Sequence, residues 1–380
     1  MKKILPYILI ISIFLCGCNR ANLETHSPTQ PLTEETVSTE PETTVPNDEP
    51  ADENIYFQQP MFAVALPLVS ETAHDEGKSF IYQDIHLFCQ DQEVADHIIV
   101  DYLNRQDSHR ITVDKPNSTA YQILYQPARL DPAIMSLHGE SVLHQGKNHP
   151  VIECETLNYS MITGEVLTLG SILQDSSAHE KLQDALLFSA ESAAEEKQLY
   201  SDYPQIIADR FKRNISTDED WFFTSSGLAF FFDPYEIAPY TSGIVTLEIP
   251  YGRLLGILDN SYFPVEEDRS NGSLCAATLD DVTLEDYTQM AELYISGYSS
   301  GIMLYSDGII RDVRIEVVPE NTGGFGASIF ATSTLTPGDG IMLMYDPQVN
   351  NPILKITYRD GENVVTRDLY FDKSGTFVLT

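Results

Sequence analysis

The sequence predicts an α+β fold, an antiparallel sheet with packed helices, followed by a smaller, mainly-β module. Three observations point there. Apolar residues recur at helical spacing in only a few windows, of which Val94, Ile98 and Tyr102 form one. Strand-like runs fill most of the intervening chain without a regular strand–helix–strand rhythm. Towards the C-terminus, apolar runs are punctuated at short intervals by Asp307-Gly308, Gly323-Gly324, Pro337-Gly338, Asp360-Gly361 and Ser374-Gly375.

The N-terminus sets the address. Lys2 and Lys3 precede a nearly unbroken apolar run, Ile4 to Leu15. That run is shorter than the about 20 residues a membrane-spanning helix needs, but it fits a signal-peptide core. It ends in Leu15-Cys16-Gly17-Cys18, which resembles a bacterial lipobox. The resemblance implies a signal peptide over 1–17, cleavage before Cys18, and acylation of that thiol. The mature chain would then be lipid-anchored on the extracytoplasmic face of a bacterial cell membrane, each buried CH₂ contributing about 0.8 kcal/mol. Residues 19–54 carry Arg20 against nine acids and are rich in Thr, Pro, Glu and Ser. With so little apolar surface, residues 18–54 read as a lipidated Cys and an extended, disordered stalk.

Residues 55–265 form the first folded region. Ser79–Cys89 reads as a strand and Glu93–Asn104 as a helix, with Ala95, Ile99 and Leu103 also at i, i+4 spacing. Thr119–Arg129, Ile134–Leu143 and Val151–Asn158 read as strands. Ser177-Ala178-His179-Glu180 has capping-box spacing and opens a helix to about Leu199. Asp202 and Pro204 start another, through Ile207 and Phe211. Trp221–Phe223, Leu228–Phe232 and Ile244–Ile249 complete the region as strands, Phe230-Phe231-Phe232 being core. In the mainly-β module, 266–380, Thr283-Leu284-Glu285-Asp286 resembles a helix cap, predicting a helix to about Tyr294, and strands follow.

One block is specific. Asp233-Pro234-Tyr235-Glu236-Ile237-Ala238-Pro239-Tyr240 precedes Ser242-Gly243, and the next strand ends in Ile249-Pro250-Tyr251. Two prolines frame a stiff loop and two tyrosines supply amphipathic plates. The block resembles the signature of the extracellular domain of RsiV-type anti-sigma factors, a module also found beside peptidoglycan deacetylase domains. Gly164-Glu165-Val166-Leu167-Thr168-Leu169 with Ile172-Leu173, and the hairpin from Trp221 to Phe232, match the family in kind. The resemblance covers roughly 79–258. In place of the family's Gly-Gly-Ala-His-Pro-like turn stands Gly146-Lys147-Asn148-His149-Pro150, and neither a sigma-binding segment nor a deacetylase domain is recognisable. It implies a sensor or binding module, with lysozyme or another cationic envelope-active protein as partner.

Chemistry-bearing patterns are sparse. His138, His144 and His149 lie close in sequence, but their spacing suits neither a helix-borne pair nor a zinc knuckle, so structural or surface roles are expected. Asp280-Asp281 and Glu285-Asp286 lack the alternating calcium-loop pattern with its central Gly. No nucleophile elbow, Walker loop or His-Glu-x-x-His stands in the sequence. Glu236 has no paired carboxylate at identifiable spacing, so a positional hydrogen-bonding role is expected of it. Cys89 and Cys154 fit either a disulfide or free thiols. The net charge of −35 opposes nucleic-acid binding and favours encounter with cationic partners. No catalytic, cofactor or metal site is predicted. Pro234, Tyr235, Glu236, Pro239 and Tyr240 form the candidate binding loop. The expected function is a non-catalytic, lipid-anchored binding or sensor lipoprotein, with a cell-envelope enzyme or accessory subunit acting on peptidoglycan as the alternative.

The anchor is directly testable. Cys18→Ser removes the acyl acceptor, so the protein should leave the membrane fraction or accumulate as an unprocessed precursor. Unchanged fractionation and an unchanged mature mass would exclude lipidation at Cys18.

Overall fold

The computed structural model describes residues 62–72, 78–89, 91–113, 118–145, 150–212, 220–264, 271–296, 299–318, 327–371 and 376–380. Cys18, the acidic 19–54 stretch, His149 and the Gly323-Gly324 and Ser374-Gly375 turns lie outside these residues. The first strands are β1 (Ala63–Ala65), β2 (Leu68–Thr72), β3 (Ser79–Gln83) and β4 (His86–Phe88). Helix α1 (Gln92–Val113) leads into the long strands β5 (Ser118–Leu130), β6 (Ile134–Gln145) and β7 (Val151–Ser160). Helices α2 (Ala178–Ala193) and α3 (Tyr203–Phe211) precede β8 (Trp221–Phe223), β9 (Gly227–Phe232) and β10 (Val245–Pro250). The remainder holds β11 (Leu274–Thr278), β12 (Thr288–Tyr294), β13 (Ser300–Ser306), β14 (Ile310–Val318), β15 (Ala327–Leu335), β16 (Asp339–Tyr345), β17 (Ile353–Asp360), β18 (Asn363–Phe371) and β19 (Phe377–Leu379).

This corrects the predicted fold class. The described chain is mainly β, with four sheets and three α-helices, rather than an α+β layer built on one antiparallel sheet with packed helices. Sheet one runs β2-β3-β5-β6-β7 and sheet two β10-β9-β8. Sheet three runs β19-β18-β17-β14-β15-β1-β4 and sheet four β11-β13-β16-β12. Two pairings, β3 with β5 and β12 with β16, are parallel. Part of the error is local. After Thr283 the cap-like residues make only the 3-10 turn Leu284–Asp286, and the expected helix is strand β12. Ala291, Leu293 and Ile295 point inward with period two, and burial of that alternation outweighs the cap signal. Likewise Ser177 makes no side-chain cap bond to α2; Asp175 Oδ1 instead accepts from the backbone of Ser177 at 2.7 Å and Ala178 at 3.2 Å.

The second part of the error is that Ser79–Cys89 is not one strand. It breaks at Asp84, whose carboxylate accepts from Ile85 N at 2.9 Å while its own N–H donates to Pro67 O at 2.8 Å. The facing segment breaks at the same level, after Ala65. A single long hairpin is thereby split: β2–β3 belongs to sheet one and β1–β4 to sheet three. Strand β1 lies between β4 and β15, so sheet three contains strands from both sides of residue 265. Gln83 sits fully buried at the break. Its Nε2 donates to Ser328 O at 2.8 Å, its Oε1 accepts from Tyr125 N, and its carbonyl accepts from Tyr102 OH at 2.9 Å.

Three cores result. Sheets three and four enclose one sandwich core, including Leu293, Ile302, Leu343, Phe330 and Ile356. Helix α1 covers one face of sheet one through Val94, Ile98 and Tyr102. Sheet two is buried on both sides: Phe230 and Phe232 meet α2 and α3, whereas Phe231, Phe222 and Ala229 form a smaller cluster with Ala128 and Cys154.

Replacing Gln83 tests the staple. Gln83→Leu keeps the bulk but strands Tyr125 N and Ser328 O, each such buried group costing about 1–3 kcal/mol. A loss of about 2–5 kcal/mol in urea unfolding is expected, against an unchanged midpoint if the side chain is a bystander.

Candidate functional site

The loop leaving β9 is built from the inside out. Ile237 and Ala238 are buried in the core under α2 and α3, and Tyr200 N donates to Ile237 O at 2.9 Å. Those two apolar residues pin the middle of the loop. Its first turn is closed twice, by Glu236 N donating to Asp233 O at 3.0 Å and by Asp233 N donating to Glu236 Oε2 at 3.1 Å. Pro239 precedes the 3-10 turn Tyr240–Ser242, and Gly243, with φ +64°, supplies the left-handed exit.

The two tyrosines are left outside. Tyr235 is 68% exposed and Tyr240 41%. Their rings stack at a centroid distance of 5.3 Å and an interplanar angle of 28°. Tyr235 has φ +74°, a left-handed conformation that costs a non-glycine residue about 1–3 kcal/mol. The loop therefore holds its most exposed aromatic side chain at a backbone cost, against a rigid neighbour.

Behind the plates lies a charged foundation. Asp233 Oδ1 accepts from Cys154 N on β7 at 3.3 Å, capping an N–H on that strand. Burial pushes the pKa values of Asp233 and Glu236 up, only partly opposed by backbone hydrogen bonds and by Arg210. Arg210, from α3, is 3% exposed. It donates to Phe231 O at 2.9 Å and Asp220 O at 2.6 Å, and its guanidinium lies 5.2 Å and 5.0 Å from the Phe230 and Phe232 ring centroids. Cys154 Sγ meets His138 Nε2 at 3.1 Å, and the His138 ring stacks on Phe222 at 4.5 Å. Burial lowers the His138 pKa and raises that of the Cys154 thiol.

The loop residues Pro234, Tyr235, Glu236, Pro239 and Tyr240 thus share one element, with Glu236 facing inward as a backbone acceptor and the tyrosines outward. His138 and His144 are not brought together: His138 faces Cys154, and the His144 carbonyl accepts from Thr119 Oγ1 at 3.2 Å. Cys89, Cys154 and Cys275 are free thiols, so the disulfide alternative for Cys89 and Cys154 is not realised. Among the described residues no three His, Cys, Asp or Glu side chains converge as a metal site. Sequence reasoning missed Asp233 and Arg210. The signal for Arg210 was a cation three residues after Ile207 on the apolar stripe of α3.

Residues 172–252, which include α2, α3, sheet two and this loop, match the family model described as "Protein of unknown function (DUF3298)". Two solved structures are similar in part. A DUF3298 family protein from Pseudomonas aeruginosa PAO1 is 17% identical, with 53% of this chain and 97% of that chain covered and a TM-score of 0.39. A member of the same family from Bacteroides fragilis NCTC 9343 is 16% identical, with 53% and 94% covered and a TM-score of 0.37. No curated protein matches the chain.

The raised carboxylates give a pH signature. A carboxyl whose pKa is higher in the fold than in the unfolded chain favours the fold below the ordinary carboxylate range, and that contribution is lost as pH rises through the folded pKa. Between pH 7 and pH 5 the Asp233→Asn, Glu236→Gln double variant should therefore gain less stability than the wild type. Parallel curves of Tm against pH would show that neither group is desolvated.

Proposed function

We propose that this chain is a non-catalytic, lipid-anchored binding protein on the extracytoplasmic face of a bacterial membrane. In this reading it captures a cationic envelope-active protein such as lysozyme through the stacked tyrosines of the 233–240 loop. The finer assignment, to the extracellular domain of RsiV-type anti-sigma factors, rests on the Pro-Tyr block itself. The observation that carries the reading is Tyr235, exposed and held in a left-handed conformation against Tyr240 by a loop whose centre is buried. Rigid aromatic plates lose little entropy on binding, which suits a contact residue better than a packing residue. The inward carboxylates hold backbone amides, a positional task.

Charge supplies the encounter. Residues 55–265 carry 12 basic and 30 acidic side chains, and 266–380 carry 7 and 18, so both regions project a negative field. Such a field speeds association with basic proteins but gives no specificity, which falls to the tyrosines.

Calorimetry of residues 55–380 against hen-type lysozyme and basic peptides, at low and physiological salt, is the test. Binding at both salts is expected. No heat at either salt removes lysozyme as the partner, and heat confined to low salt reduces the interaction to nonspecific attraction. Tyr235→Gly separates the two roles of that residue. It relieves the left-handed strain and should raise Tm, while deleting one plate and weakening binding about tenfold or more. Wild-type affinity in this variant would exclude the loop as the contact.

A further inference from the structure

Sheet four is largely apolar on both faces, although a second layer covers only one of them. Strand alternation sends Ile302, Leu304, Ile341 and Leu343 into the sandwich core against sheet three. The residues between them, Met303 and Tyr305 on β13 and Met342 and Met344 on β16, point the other way. Ala277 and Cys275 on β11 stand beside them, paired with Met303 and Tyr305. No described helix or sheet is layered there, since α1 lies on sheet one and α2 and α3 on sheet two. Three of the protein's eight methionines thus share one outer face.

Two glycines let the methionines lie down. A Cβ on Gly301 would come within 2.8 Å of Met344 Sδ, and one on Gly340 within 2.5 Å of Met303 Sδ. Each thioether therefore runs over a position that carries no side chain. The surface is low and deformable, and unbranched thioethers refit easily to another shape. Tyr287 closes one end, its ring 5.4 Å from that of Tyr305. The surround is anionic throughout. Residues 271–309 and 339–350, which supply all four strands, hold eight Asp and Glu and no Lys, Arg or His. Asp280 and Asp281 are exposed at one end of the strands, and Glu285, Asp286 and Asp307 at the other. Glu292 stands in register with Met342 on the face itself.

We infer that the outer face of sheet four docks an amphipathic helix of a partner protein, apolar along one stripe and carrying Lys or Arg on its flanks. An apolar centre rich in Met and Tyr inside a charged rim is the composition of an interface. Its size suits one helix. Strands of five to seven residues run about 17–23 Å, the length of a helix of about 14 residues. Charge decides between occupants. A second copy of this face, or the chain's own acidic 19–54 stretch, would bring acid against acid. Basic flanks instead meet acids at both ends of the strands. This contact is separate from the tyrosine loop and does not depend on it.

The test titrates the full chain with a fluorescent peptide of leucine and lysine whose leucines form one helical stripe. A scrambled isomer of equal charge is the control. Saturable binding at physiological salt is expected, about tenfold or more tighter for the striped peptide. No binding, or equal binding of both isomers, overturns the inference. Met342→Lys with Met344→Lys should weaken the striped peptide about tenfold or more, whereas Tyr235→Gly should leave it unchanged. A loss in Tyr235→Gly alone would give the peptide to the loop and overturn the site. The wild type supplies a reading that needs no variant: bound peptide should slow alkylation of Cys275 but not of Cys89, both free thiols. Equal slowing, or none, overturns the site. A concentration-dependent dimer that the double variant abolishes would assign the face to a second copy, with the same consequence.

Discussion

The structure turns on the side chain of Gln83. A hairpin that would otherwise continue as one ribbon is broken beside it, and its two halves enter different sheets. A break inside the protein exposes backbone groups that neither sheet can satisfy, and a buried polar group without a partner is costly. Gln83 answers from one position: its amide donates to Ser328 on β15 and accepts from Tyr125 on β5, and its backbone carbonyl receives the Tyr102 hydroxyl from α1. Three elements are tied where the hairpin parts. Arg314 donating to Ala128 O and Arg359 donating to Ser225 Oγ add polar ties between the same regions.

Sheet two inherits its position from this arrangement. Strand β9 is buried along its whole length, so helices must cover one face and the back of sheet one the other. A strand so confined leaves its exit no freedom, and the loop that carries Tyr235 and Tyr240 begins at the residue after it. The acidic chain also spends cations inside. Arg129, 4% exposed, donates to Tyr251 OH and Tyr262 O, each at 2.6 Å, and Arg210 braces β9. Both are withdrawn from the surface, where the negative field is felt.

Much of the local structure was legible. The strands β5, β6 and β7, helix α3 and the three strands of sheet two lie where spacing and turn residues put them, whereas α1 starts as expected but runs on to Val113 instead of ending at Asn104. The Pro-Tyr block marked the loop, because a pair of prolines around two tyrosines is a local statement needing no partner. What failed was non-local. Ala63-Val64-Ala65 is too short to stand out as a strand on its own; β1 forms by pairing with β4 and with β15, the latter over 260 residues away in sequence. The fold class went wrong for the same reason, since the number of sheets depends on where strands are shared. At Thr283 a genuine cap signal lost to the alternating burial of β12.

The placement of β1 also decides how the protein answers a pull. Chain preceding Phe62 joins the fold at the end of a strand bonded on both sides, with Thr332 Oγ1 and Ser333 N both donating to Phe62 O. Traction along the strand loads the ladders to β15 and β4 together, in shear, instead of opening them one rung at a time. The strand is seated in two cores at once, Ala63 and Ala65 in the sandwich core and Phe62 and Val64 in the core under α1. Resistance would be set by the barrier to forced unfolding rather than by equilibrium stability.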